Sequence, residues 1–175
     1  LKIWNDLMSE SKVFILHENS QWTLPLELAL QRLGTPYESW HLGEGQLNLD
    51  AIPPTGVFYS RMSASAHTRG HRHAPEFCAA LLRWLEAHER RVVNGYGAIQ
   101  LEVSKAAQSF ALRAAGVATP KTIAAFGKQQ TLHAAAQMDG PFVIKHNCGG
   151  KGLGVRKFTH VEGLSNYLDG PSFEE

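Results

Sequence analysis

"FVIKHNCGGKGLGVRKF", residues 142–158, is the stretch on which the reading of the fold turns. Phe142 to Lys145 is an apolar run ending in a lysine, and Val155 to Phe158 resumes an extended pattern. Between them come Gly149, Gly150, Lys151, Gly152, Leu153 and Gly154. The pattern predicts two strands joined by a glycine-rich, positively charged tip. Glycine loses more freedom on folding than any other residue, so a tip this rich in it asks for a purpose.

Three anion-binding devices compete for that purpose. A Walker loop puts Ser or Thr after its lysine and leads into a helix. Here Gly152 comes after Lys151, and the chain then enters a strand. A dinucleotide fingerprint needs a third glycine three residues after the second, and counting from Gly150 and Gly152 that place holds Val155. What remains is a hairpin lid whose consecutive backbone N–H groups form an anion-binding concavity without a helix N-terminus. A plain hairpin turn with no ligand stands beside it, because glycine is ordinary in hairpins. Lys145 favours the lid: a compact ammonium at its base can neutralise phosphate charge, although a lysine at a strand end can equally be only solvated.

Working outward, the 175 residues suffice for one ordinary domain or two small ones with a real core. With 43% hydrophobic and 19% charged residues, the composition is globular rather than disordered. A formal charge of +1 argues against a dedicated nucleic-acid binder, which concentrates basic residues on one face. No apolar run approaches the roughly 20 residues of a membrane span, so no membrane partner is expected. No basic segment followed by an apolar one marks a secretory signal. Two cysteines, Cys78 and Cys148, make no disulfide framework, and a reducing cytoplasm is the simplest compartment. Leu1 in place of an initiating Met suggests a processed chain or part of something longer.

Along the chain, "KVFILHE" (12–18), "YESWHLG" (37–43), "GVFYSRM" (56–62) and "RVVNG" (91–95) read as strands. A helix is expected over 23–34, capped by Thr23 or Leu24, with Pro25 in its first turn and Gly34 at its stop. A second is expected from Pro75 to about His88, facing the core with Phe77, Cys78, Leu81, Leu82, Trp84 and Leu85. Strands alternating with helices imply an open parallel α/β sheet. A single long helix over 98–116 is then expected, with Ile99, Val103, Ala106 and Phe110 on one stripe and Lys105 off it. "PKTIAAF" (120–126), a short helix over 131–138, the strands of the opening stretch and a helical 161–168 suggest a second, small α+β unit.

"RVVNGYGAIQLEVSKAAQSFALRAAGVATPKT" followed by "GPFVIKHNCGGKGLGV" resembles the first half of an ATP-grasp ligase, most closely the RimK-like α-L-glutamate ligases. The upstream "YSRM" and "HAPEFCAALLRWLEAHERRVVNG" are similar to the domain that precedes the grasp. The resemblance implies a pre-ATP-grasp parallel-sheet domain over 12–96 and, over 97–175, the N-terminal α+β subdomain of an ATP-grasp fold. It implies ATP as a substrate, phosphoryl transfer to a carboxylate substrate, and attack of an amine or amino-acid co-substrate on the acyl phosphate, giving an amide or peptide bond. Lys105 and Lys145 match the two lysines that contact nucleotide phosphates, and Gly149, Gly150, Lys151, Gly152, Leu153, Gly154 and Val155 match the lid. Ser104 stands where many relatives have Asp. The adenine hinge and the acidic and Asn ligands for Mg²⁺ belong to the family's second half, and are expected beyond residue 175. A non-catalytic nucleotide-binding or interaction module with the same half-site is the alternative, and a plain Rossmann-like domain is the third. None of the three readings bars a homo-oligomer.

The segment "AHTRGHRHAP" gathers His67, His71 and His73 with Arg69 and Arg72. No Asp, Glu or Cys within it completes a familiar metal spacing. Three readings stay open: a metal site, a cationic loop that meets an acidic substrate together with Arg61, and an ordinary polar loop. Cys148 has no evident base beside it, and the four tryptophans read as packing residues.

Overall fold

Strand β1 (Val13–His17) is apolar up to its final histidine, as a strand covered on both faces requires. In the computed structural model, which describes residues 12–148, 152 and 154–171, it forms the middle of a parallel sheet. β2 (Tyr37–His41) pairs with one side of it and β3 (Val57–Ser60) with the other, while β4 (Arg91–Val93) lies outside β3. The order is β2-β1-β3-β4. Parallel neighbours need long crossovers. Helix α1 (Ser20–Arg32) joins β1 to β2; a 3₁₀ turn (Ala64–Arg69) and α2 (Ala74–Ala87) join β3 to β4.

Period-2 alternation sends Phe14 and Leu16 to one face, where they meet Phe58 and the buried side of α2, Cys78, Leu81, Leu82 and Leu85. Phe14 stacks on Phe58 with centroids 4.6 Å apart, and Trp40 meets both rings edge-on. Each fully buried aliphatic or aromatic chain of this kind is worth about 1.5–3 kcal/mol. Helix α3 (Tyr96–Glu102) adds Ile99 to the same core.

Helix α1 starts earlier than the sequence reading placed it. Asn19 is the cap: its Oδ1 accepts from the N–H groups of Gln21 and Trp22. Thr23 is a buried residue inside the helix, its one O–H within reach of both Ser20 O and Glu27 Oε1, and Pro25 lies past the first turn. Gly34, at φ +63°, ends the helix as expected; Thr35 N–H reaches Leu30 O and Gly34 N–H reaches Gln31 O, the paired bonds of a left-handed stop.

The long helix expected over 98–116 is two helices. α3 ends at Glu102, and α4 (Lys105–Ala114) begins anew behind Ser104, whose Oγ accepts the N–H of Ala107. The expected stripe is therefore divided: Ile99 is buried, and Phe110 is 77% exposed. At this break, between Val103 and Ser104, the chain divides into two compact units.

In the second unit, β5 (Phe142–Ile144) and β6 (Arg156–Phe158) form an antiparallel hairpin with Phe142 opposite Phe158. Helices α5 (Lys128–Ala136) and α6 (Val161–Leu168) cover it, with Ala135, Phe142 and Leu164 buried and Leu132, Ile144, Phe158 and Tyr167 around them. Residues 120–126 have no regular structure.

Candidate functional site

The β5–β6 register places residues 145–155 as the connection of the hairpin, so Lys145 is the first residue past β5 and Val155 the last before β6. Lys145 is exposed. Gly149, Gly150, Lys151 and Leu153 lie outside the described residues. Gly152 and Gly154 have φ of +74° and +70°, and Val155 N–H closes a turn onto Gly152 O. A Cβ on Gly154 would stand 2.2 Å from His146 Cδ2, so both backbone conformation and space call for glycine there.

Lys105, the first residue of α4, is half-buried. Its main-chain N–H donates to Asn147 O at 3.0 Å, which fixes the start of α4 against the chain just past Lys145. Asn147 Oδ1 also accepts from Ala106 N–H at 2.9 Å. Lys105, Lys145, Gly152, Gly154 and Val155 thus belong to one unit, and the two lysines are carried by segments that touch. The role of Asn147 escaped the sequence reading, which had no signal linking it to residues 41 positions away.

Arg61 belongs to the first unit, just past β3. Its N–H donates to Leu16 O at 2.7 Å, and its guanidinium lies 5.9 Å from the Tyr59 ring centroid. The histidines of 63–74 do not converge. His67 Nδ1 faces Ala64 O at 3.0 Å within its own turn, and His73 lies 4.0 Å from Glu76 on α2. His71 packs on His41, with Gly43 close against both imidazoles. Among the described residues, no group of three or more His, Cys, Asp or Glu side chains could hold a metal.

Arg69 is committed to a partner that the sequence did not reveal. It forms a two-pronged pair with Glu18, whose side chain is 1% exposed, with Nη2 to Oε1 at 2.5 Å and Nε to Oε2 at 3.1 Å. Ser65 Oγ and the Trp22 ring complete its surroundings. Charges buried this way need such pairing. Beside it, His17 is buried with Nδ1 unpartnered, and its imidazole packs edge-on against His41, centroids 5.4 Å apart. Burial first, and then the neighbouring His41, hold its pKa below the ordinary 6.5.

No family model and no curated protein matches the sequence. Among the described residues, no helix is long and apolar enough to cross a membrane. Among solved structures, the chain is similar to the RimK domain protein ATP-grasp from Sphaerobacter thermophilus DSM 20745, at 21% identity and a TM-score of 0.62. The match covers 90% of this chain and 59% of that one, so the chain spans little more than half the length of that protein. The mixed α/β architecture described above, with its four-stranded parallel sheet, is therefore the fold of an ATP-grasp protein over the matched length.

Proposed function

We propose that this chain supplies the phosphate-contacting half of an ATP-dependent carboxylate–amine ligase of the ATP-grasp type. Residues 12–96 act as the domain preceding the grasp and 97–175 as its N-terminal part, with α3 packed on the first through Ile99, so that the compact units divide after Val103. The observation that carries the reading is the bond from Lys105 N–H to Asn147 O, which joins the segments bearing both lysines expected on phosphate. The fold similarity supports it independently.

On this reading Lys145 and Lys105 oppose the charge of the ATP triphosphate. Phosphoryl transfer asks mainly for positioning and charge neutralisation. The γ-phosphoryl group passes to a carboxylate oxygen of an acidic or amino-acid-like substrate, releasing ADP. An amine nitrogen then attacks the acyl carbon, the C–O bond to phosphate breaks, and the nitrogen loses a proton as the amide forms. Mg²⁺ would be held by acidic and Asn groups of the fold's second half, the part expected to supply them, and would bridge charge on the phosphates. Arg61 is proposed as a substrate contact, and the reducing cytoplasm as the setting.

The test is ATP affinity in the longest natural chain that carries this sequence. Lys145→Ala should weaken binding by about 1.5–3 kcal/mol, the range for hydrogen bonds to charged groups. Equal ATP affinity with and without that ammonium rejects the assignment.

A further inference from the structure

The first turn of any α-helix leaves four N–H groups without partners inside the helix. In α4 those of Lys105, Ala106 and Ala107 are satisfied, and their acceptors form a pattern. Ser104 provides one, Oγ for Ala107 at 3.2 Å, while its main-chain O accepts the first bond inside the helix, from Gln108 at 2.9 Å. Asn147 provides the others: its main-chain O for Lys105 at 3.0 Å and Oδ1 for Ala106 at 2.9 Å. An N–H can only donate, so the carboxamide atom facing Ala106 is the oxygen. Ser104 Oγ lies 3.3 Å from Asn147 Oδ1 and 3.2 Å from its Nδ2, closing the contact on both sides.

Resting on the phosphate-site reading above, we propose that Asn147 is a positioning residue. It holds the strand end bearing Lys145 in register with the helix start bearing Lys105. A helix N-terminus with open N–H groups would itself attract phosphate. Here Asn147 and Ser104 occupy those groups, which leaves charge neutralisation to lysine side chains whose spacing the contact sets. Misplacing a reacting or binding group by about 1 Å can cost a hundredfold, so this register matters more than the strength of the bonds that keep it. Asn147 is exposed, so water can replace its carboxamide and the fold should survive its removal.

The experiment compares wild type, Asn147→Ala, Ser104→Gly and Lys145→Ala in the longest natural chain, with ATP and adenosine as ligands. Ser104→Gly removes the hydroxyl at little cost to the cap and serves if Asn147→Ala folds poorly. Amide hydrogen exchange at Ala106 reports the contact without reference to activity. Asn147→Ala should raise that exchange rate about tenfold and weaken ATP about five- to tenfold, with adenosine affinity within about twofold of wild type; Ser104→Gly should show the same selectivity at about two- to threefold. Equal losses for ATP and adenosine would reveal a merely structural role and overturn the proposal. So would unchanged ATP affinity in Asn147→Ala while Lys145→Ala loses it. Unchanged ATP affinity in Lys145→Ala removes the phosphate site itself and the positioning role with it.

Discussion

Cys78 lies at the centre of the first core with its sulfur 3.7 Å from Ser60 Oγ, and burial pushes its thiol up to about 11. The thiolate is the reactive form, so Cys78 should be inert while exposed Cys148 reacts. Labelling with a chromogenic disulfide near neutral pH should modify Cys148 quickly and Cys78 only on unfolding; two equally fast thiols would contradict the packing around Ser60. His17 makes a prediction with a definite sign. Its native pKa lies below its unfolded value of 6.5, so between those values the unfolded chain binds more protons than the native one. Stability should therefore be undiminished above 6.5 and fall as pH drops from there through the native pKa. Denaturant titrations of wild type and His17→Gln across that window check this: the wild type should lose more stability toward low pH. Parallel slopes would mean that His17 titrates alike in both states. That His17 closes an apolar strand was legible in the sequence. Its neighbour His41 was not, because parallel pairing joins residues that no local pattern connects.

Among the elements, the first sheet was legible because buried parallel strands are short apolar runs set between helical patterns. Helix starts were less legible: α5 begins at Lys128, three residues ahead of the expected 131, behind a Gly127 that lends no side chain, and two other misplaced starts share a reason. A side-chain oxygen decides where a helix begins, and hydrophobic spacing does not register it. Asn19 opens α1 ahead of the apolar residues that drew attention to Thr23 and Leu24. Ser104 opens α4 within a pattern whose period runs on undisturbed from α3. Arg69 posed a similar difficulty: an arginine among histidines reads as a free cation until the fold brings Glu18 to it from 51 positions away. The Asn19 cap gives the clearest test. Asn19→Ala should destabilise the first unit by about 1 kcal/mol, and Asn19→Asp should retain nearly all of it. Thermal or denaturant unfolding followed at Trp22 and Trp40 would measure both, and a neutral Asn19→Ala would move the effective cap elsewhere.

At the scale of the whole molecule, the proposed chemistry asks for more than the described residues offer. On the proposed reading Lys105 and Lys145 oppose the charge of a triphosphate, yet phosphoryl transfer between ATP and a carboxylate also needs a divalent cation between phosphates and a wall that excludes water. The described residues contain no acidic cluster to hold the cation. Apolar surface remains uncovered in the second unit, with Phe110 77% and Phe126 96% exposed, which fits a chain spanning 59% of the ATP-grasp protein it resembles in fold. The 175-residue chain by itself should therefore bind ATP weakly and form no ADP with any amino-acid pair. Incubating it, and a version extended to the natural stop codon, with ATP, Mg²⁺ and a panel of amino acids and acidic peptides tests this directly. Only the extended chain should release ADP in a substrate-dependent way. Equal rates from the short chain would place the complete active site within these residues, and the division of labour argued from Lys105 and Lys145 would fall.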